Sequence, residues 1–203
     1  MIAIIDYGMG NLRSVQKAFE RLGVEATITS DKAKVDAAEK LVLPGVGAIA
    51  DAMTELRRAD LVDSIVSAVR ANRPFLGICL GFQALFERSE ENGGTECLGL
   101  FKGTVRRFPE SPEYVVPHMG WNRLDFKQKN VPIYRDLKET DYVYFVHSYY
   151  VDAEDPSIVA TTTNYDNVDF CSSIAVGNVF GVQFHPEKSQ DVGLSILKNF
   201  AAL

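Results

Sequence analysis

The sequence has few of the residues that mark disulfide scaffolds and no segment that marks a membrane protein. It contains only three cysteines, Cys79, Cys97 and Cys171, and no Cys-x-x-Cys pair. This excludes a disulfide framework and favours a reducing compartment. The apolar residues 1–6 lack a preceding basic segment and are too few for a signal peptide or a membrane span. We therefore expect a cytoplasmic protein that does not act at a membrane.

The sequence also lacks an excess of positive charge. Its 27 acidic and 21 basic residues give a net charge of −6, which argues against a nucleic-acid partner bound through a basic face. Apolar residues at 46% and charged residues at 24% are ordinary for a globular protein. With no repeat or long linker, the 203 residues predict one domain over residues 1–203.

The first half alternates between strand and helix patterns. Short apolar runs predict strands, and apolar residues at helical spacing predict the helices between them. The predicted strands are residues 2–5, 25–29, 40–43 and 74–78, and the predicted helices are 12–22, about twenty residues from Ala52, and a helix from Leu80 onward. This alternation indicates an α/β fold with a parallel sheet covered by helices on both faces.

The second half is rich in β-branched and aromatic residues, which predicts more strands. These are residues 105–108, 115–116, 142–151 and 158–163, followed by a hairpin over 173–184 that turns at Gly177-Asn178. A final helix carries Ile196, Leu197 and Phe200 on one face. The predicted sheet is therefore mixed, although mostly parallel.

The strongest chemical signal is Cys79 within Gly77-x-Cys79-x-Gly81, directly after a buried strand. Glycines two positions either side remove the Cβ atoms that would clash in a sharp turn, as in the nucleophile elbow of serine hydrolases. Such a turn exposes the side chain where a helix begins, and this position favours the reactive thiolate. The alternative is a small core residue, because free cysteines are often buried.

A cysteine nucleophile needs a base and a group that orients the base. His185-Pro186-Glu187 offers both, at the carboxyl end of a predicted strand. A structural histidine and a His-x-Glu metal site are the alternatives. No further ligand of suitable type and spacing lies nearby, so no metal is expected.

An oxyanion hole is the next requirement for acyl transfer. The Leu80 amide lies at the elbow, and the turn at residues 44–47 offers a second amide from Val46 or Gly47. The segment 6–11 resembles a dinucleotide fingerprint, but its third glycine would fall at Arg13. We therefore expect no NAD or FAD, and no other cofactor.

Three motifs together resemble the class I glutamine amidotransferases, whose fold is a flavodoxin-like α/β sheet. They are Pro-Gly-Val-Gly at 44–47, Gly-Ile-Cys-Leu-Gly-Phe-Gln at 77–83 and Gln-Phe-His-Pro-Glu-Lys-Ser at 183–189. Within that class, residues 6–15, 117–122 and 144–149 are similar to the glutaminase subunits that serve imidazole glycerol phosphate synthase. The resemblance spans nearly the whole chain.

The resemblance implies a role for each matching residue. Cys79 is then the nucleophile, His185 the general acid and base, and Glu187 the group that orients it. Val46, Gly47 and Leu80 form the oxyanion hole, while Gln83, Glu91, Ser148 and Tyr149 bind glutamine. The implied partner-facing residues are Asn11, Met119, Trp121, Asn122, Tyr144 and His147.

The resemblance also implies a partner and a reaction. Glutamine would be hydrolysed to glutamate, and the ammonia would pass to a (β/α)8 barrel cyclase bound as a heterodimer. The cyclase would make imidazole glycerol phosphate and an aminoimidazole carboxamide ribotide in histidine biosynthesis. Three alternatives stay open: a subunit of another synthase, such as those for anthranilate or pyridoxal phosphate, a catalytically silent regulatory subunit, and a cysteine peptidase.

Overall fold

The computed structural model describes residues 1–112 and 114–203, and its core is a long mixed sheet. The strands of the first half are β1 (Ile2–Ile5), β2 (Ala26–Thr29), β3 (Lys40–Gly45) and β4 (Phe75–Cys79). The helices of this half are α1 (Leu12–Arg21), α2 (Lys32–Ala37), α3 (Ile49–Arg58), α4 (Val62–Arg70) and the single turn α5 (Leu80–Gln83).

The second half consists mostly of strands. These are β5 (Arg88–Ser89), β6 (Thr95–Glu96), β7 (Gly103–Arg107), β8 (His118–Arg123), β9 (Asp125–Phe126), β10 (Tyr142–His147), β11 (Tyr149–Ala153), β12 (Val159–Tyr165), β13 (Val168–Val176) and β14 (Val179–Val182). Helix α6 (Gln190–Ala201) closes the chain. None of the helices in the described part of the chain is long and apolar enough to cross a membrane.

The sheet runs in the order β2-β1-β3-β4-β14-β13-β11-β7-β5-β6. The first five of these strands are parallel, and the β13–β14 hairpin introduces the antiparallel part. This confirms the predicted α/β class with a mostly parallel sheet. Its consequence for chemistry is that β4 and β14, far apart in sequence, are neighbours whose carboxyl ends meet at one edge.

Strand alternation divides the apolar residues between the two faces of the sheet, as period-two geometry requires. Ile4 and Val42 pack on the face covered by α1 and α6. Ile5 and Leu43 pack on the opposite face, which is covered by α2, α3 and α4. Helices on both faces exclude water from the parallel strands, and polar groups are thereby concentrated at the strand ends.

Four predicted segments differ from the structure. The helix of about twenty residues is two helices, α3 and α4, because Asp60 takes a left-handed φ of 56° between them. Residues 115 and 116 form no strand, since they lie in the irregular segment that leads into Pro117, which has no backbone N–H to donate to a ladder. The run 142–151 is two strands, β10 and β11, which belong to different sheets and are separated at Ser148.

The predicted helix after Leu80 is the fourth difference, because α5 is only one turn long. The amides of residues 98–100 donate to the carbonyls of residues 84–86. Those carbonyls are thus already paired and cannot continue a helical ladder.

A two-stranded ribbon, β8–β10, packs against the sheet and presents two unlike faces. His118, Val143 and Phe145 point inward and are buried. Met119 is 62% exposed and Trp121 45% exposed on the other face. An apolar outer face of this kind is typical of a surface that binds another protein.

Candidate active site

Cys79 occupies a strained turn at the end of β4. Its φ is 54° and its ψ −107°, a conformation that non-glycine residues rarely adopt. A Cβ on Gly81 would lie 1.9 Å from the Leu43 carbonyl oxygen, and one on Gly77 would lie 2.8 Å from the Gly81 carbonyl oxygen. Gly81 is therefore required for the elbow to pack against β3, and Gly77 for the chain after Cys79 to fold back over β4.

His185 and Glu187 follow β14, the strand that pairs with β4. Ile78 is opposite Val182 in this parallel pair, so both chain segments leave the sheet at the same edge. The Nδ1 atom of His185 lies 2.8 Å from Oε1 of Glu187, and the two side chains are 2% and 1% exposed. The carboxylate thus fixes the ring with Nδ1 protonated.

The second ring nitrogen of His185 is free to act. Nε2 is buried and has no hydrogen-bond partner among the described residues. Burial by itself lowers the pKa of His185, but Cys79 and Glu187 together raise it to about 10. At neutral pH the His185 ring is therefore protonated, and it lines the same cavity as Cys79, as the acid–base partner of a cysteine nucleophile must.

Gln183 is a site residue that sequence reasoning missed. Its side chain is fully buried, and Nε2 lies 3.6 Å from the Sγ atom of Cys79. Its Oε1 accepts a hydrogen bond of 3.0 Å from Nε2 of Gln83. The sequence spacing could have indicated this role. Residues two apart in an extended segment share a face, and Gln183 precedes His185 by two.

A cavity of about 360 Å³ opens over the nucleophile. Besides Val146, its lining consists of predicted residues: Val46, Gly47, Cys79, Leu80, Gln83, Glu91, His147, Ser148, Tyr149 and His185. A larger depression of about 620 Å³, bordered by Gln128, Lys129 and Arg135, contains no cysteine or histidine. Chemistry therefore points to the smaller cavity, although it is not the largest.

The predicted glutamine-binding residues form two walls of this cavity. Gln83 donates to the Tyr149 carbonyl at 2.9 Å, which joins the elbow helix to β11. Glu91 accepts from the amide of Ile49 at 2.8 Å, so its carboxylate also caps α3. Ser148 lies in the break between β10 and β11. A carboxylate and several amide groups suit a small zwitterion such as an amino acid.

The predicted oxyanion donors border the sulfur from two sides. Leu80 begins the turn after Cys79, where a first-turn amide has no helical acceptor. Val46 is 38% exposed, and Gly47 has a φ of 94°. The 44–47 turn adjoins the elbow directly, because Gly45 is opposite Cys79 in the β3–β4 register.

The model of the class I glutamine amidotransferase family matches residues 3–202. The chain belongs to the class I glutamine amidotransferases. Solved structures have the same fold: a glutamine amidotransferase superposes with a TM-score of 0.75 at 19% identity over the full length of both chains. The PurLQS structure from Thermotoga maritima also gives 0.75, at 21% identity, covering 98% of this chain and 96% of that one.

Sequence relatives indicate which group of class I glutamine amidotransferases this chain is similar to. The imidazole glycerol phosphate synthase subunit HisH of Syntrophotalea carbinolica is 55% identical over 205 residues, 98% of each chain. The subunit of the same name from Geobacter sulfurreducens is 51% identical, covering 100% of this chain and 98% of that one. The chain falls within the family of subunits that bear this name.

Five of the six residues that the sequence predicts to face a partner lie at least partly on the surface of the amidotransferase. Asn11 is exposed, and Met119 and Trp121 project from the outer face of the ribbon. Tyr144 contacts Trp121 across the strands with ring centroids 5.9 Å apart, and Asn122 is half-buried.

His147 is the exception, because its side chain does not lie on the surface. It is only 6% exposed, because the alternation of β10 turns it inward toward the cavity and the aromatic core.

His147 instead forms a buried pair with His118. Nδ1 of His118 lies 3.0 Å from Nε2 of His147, whose Nδ1 donates to the Tyr149 carbonyl at 2.8 Å. Burial lowers the pKa of His118 to about 4 and that of His147 to about 3. Both rings are therefore neutral at physiological pH, and each has a single tautomer that satisfies these bonds.

This pair predicts acid sensitivity. Between pH 6.5 and 4 an unfolded histidine binds a proton that the folded His118 excludes, so the stability this ring contributes is present above pH 6.5 and lost on acidification. Wild type should lose free energy of unfolding between pH 7.5 and 5, and we expect the loss in His118→Gln to be smaller by about 2 kcal/mol. Urea unfolding at both pH values measures this, and equal losses in wild type and variant would contradict it.

Proposed function

We propose that this chain is the glutaminase subunit of an imidazole glycerol phosphate synthase. The observation that carries the proposal is the strained Cys79 elbow beside the buried His185–Glu187 pair, at one sheet edge. The HisH subunits at about half identity over the full length support the choice of synthase over one for anthranilate or pyridoxal phosphate.

The first chemical step is thioester formation. The Cys79 thiolate attacks the side-chain amide carbon of glutamine, and the developing negative charge on its oxygen is met by the Leu80 amide and by Val46 or Gly47. His185 gives its proton to the departing nitrogen, which leaves as ammonia. Glu91, Gln83, Ser148 and Tyr149 hold the amino-acid end of the substrate.

The second step regenerates the enzyme. His185, now neutral, accepts a proton from water, and the hydroxide adds to the γ-glutamyl thioester to release glutamate. Glu187 keeps the ring in one orientation through both transfers. A complete set of reacting groups argues against a catalytically silent subunit, and a small zwitterion-sized cavity argues against a peptidase.

The ammonia needs a protected route, because in water it would be protonated and lose its nucleophilicity. We propose that the outer face of the β8–β10 ribbon binds a (β/α)8 barrel cyclase as a heterodimer in the cytoplasm. Trp121 and Met119 are large apolar side chains that are exposed on this face, and a bound partner would bury them. The cyclase would use the ammonia on a phosphorylated ribulosyl substrate.

Partner dependence tests the proposal. The 38% exposed Val46 lies in a glycine-flanked turn, so we expect its amide to become ordered only when the partner and its substrate are bound. Glutamate production by the purified chain should rise at least about tenfold when the cognate cyclase and its ribulosyl substrate are added. Capture of the cyclase by the tagged chain provides the binding control, and capture without any stimulation would contradict the proposal.

A further inference from the structure

Tyr7 is a buried tyrosine whose hydroxyl forms one hydrogen bond among the described residues. It lies two residues after the end of β1, is 3% exposed, and donates to the Pro44 carbonyl oxygen at 3.0 Å. Its ring belongs to the core on the α3 face, together with Leu43 and Ile49. A phenylalanine would fill the same core, so the hydroxyl contributes the bond to Pro44 rather than packing.

The hydroxyl lies against the segment that borders the nucleophile. A Cβ on Gly45 would be 2.6 Å from the Tyr7 hydroxyl oxygen and 2.8 Å from Cβ of Leu80. Burial raises the pKa of Tyr7, and the charge on Cys79 raises it further, so the hydroxyl is a permanent donor within electrostatic reach of the sulfur. Gly45 is thus packed closely between the Tyr7 hydroxyl and the elbow.

The rest of the loop at residues 6–11 contacts the same turn. A Cβ on Gly47 would lie 3.1 Å from Cε of Met9, and one on Gly10 would lie 3.4 Å from the Pro44 carbonyl oxygen. The loop ends at the exposed Asn11, where α1 begins. Because these contacts cover both ends of the 44–47 turn, a displacement of the loop moves the turn with it.

We propose that Tyr7 is a positioning residue for glutamine hydrolysis, whose hydroxyl fixes the Pro44 carbonyl and thereby aims the Val46 and Gly47 amides at the substrate oxygen. The inference rests on the proposed function, since it assumes that these amides form the oxyanion hole. Under this proposal the loop at residues 6–11, which carries the predicted partner-facing Asn11, also supports the turn beside the nucleophile.

Tyr7→Phe tests the proposal, with Tyr114→Phe as its matched control. Tyr114 is also buried and also donates to a proline carbonyl, that of Pro109 at 2.7 Å, but it does not border the cavity. Each variant loses one similar hydrogen bond, so both should melt about 2–4 °C lower than wild type. Only Tyr7→Phe should lose activity.

The readout is glutamine hydrolysis by the complex with the cyclase and its ribulosyl substrate. For Tyr7→Phe we expect kcat to fall about tenfold with KM for glutamine within about twofold, because a misaimed amide weakens only the transition state. Synthesis from added ammonium chloride, which the cyclase carries out, should be unchanged, and capture of the cyclase by the tagged variant shows that the variant is folded and bound.

The outcomes separate this inference from the function it rests on. If wild type in the complex hydrolyses no glutamine, the proposed function is overturned and the inference with it. If wild type is active and Tyr7→Phe matches Tyr114→Phe in kcat, the hydroxyl is purely structural and only the inference is overturned. A rise in KM at unchanged kcat also overturns it, since that result indicates ground-state binding.

Discussion

Replacing Cys79 by alanine is expected to abolish glutamine hydrolysis while the complex still forms product from added ammonium salt. The thioester cannot form without the sulfur, and Cys79 is the one cysteine among the described residues that line the cavity. The loss should be at least about 10⁴-fold in kcat, the scale seen when a nucleophile is removed from a triad. Glutamate release and ammonium-dependent synthesis, measured on the same preparation, give both numbers.

The other two cysteines supply the controls. Cys97 and Cys171 lie outside the cavity, and burial raises the pKa of both thiols to about 12. Neither forms a thiolate at neutral pH, so Cys97→Ala and Cys171→Ala should keep their glutaminase activity. Glutamate release by Cys79→Ala within tenfold of wild type would remove Cys79 from its role.

Much of this site could be predicted because parallel sheets bring strand ends together. The apolar runs at residues 75–79 and 179–182 are buried strands, and the residues that follow such strands meet at the carboxyl edge. The sequence also specified the elbow, since its two glycines correspond to close backbone contacts. What remained hidden was the pairing of β4 with β14, which joins segments about a hundred residues apart.

Other features of the site depend on contacts that leave no local signal in the sequence. In the sequence Tyr7 is an ordinary loop residue. Its hydroxyl contacts Pro44 only because β1 and β3 pair in the sheet. His147 and His118 are neighbours through the β8–β10 register alone. The short α5 likewise follows from the distant residues 98–100, which occupy its carbonyls. Long-range pairing therefore overrode local pattern at each of these positions.

Glu187→Gln is expected to lower kcat about 10²- to 10³-fold without removing the nucleophile. The amide has nearly the same shape as the carboxylate, so the side chain still fits a site that is 1% exposed. It has no charge to stabilise the imidazolium, and its NH2 group can face Nδ1 and favour the wrong tautomer. Glutamate release under saturating glutamine measures the loss, and Glu110→Gln, an exposed glutamate outside the cavity, is the control.

The pH profile distinguishes orientation by Glu187 from simple packing. In wild type the pKa of His185 is raised, so the ring keeps the proton for the leaving ammonia well above neutral pH. Without the carboxylate that pKa falls, the proton is lost at lower pH, and the alkaline limb of kcat should move to lower pH. A reduced kcat with an unmoved alkaline limb would mean that Glu187 only fills space. A shifted limb would show that its charge holds the proton on His185 until the nitrogen departs.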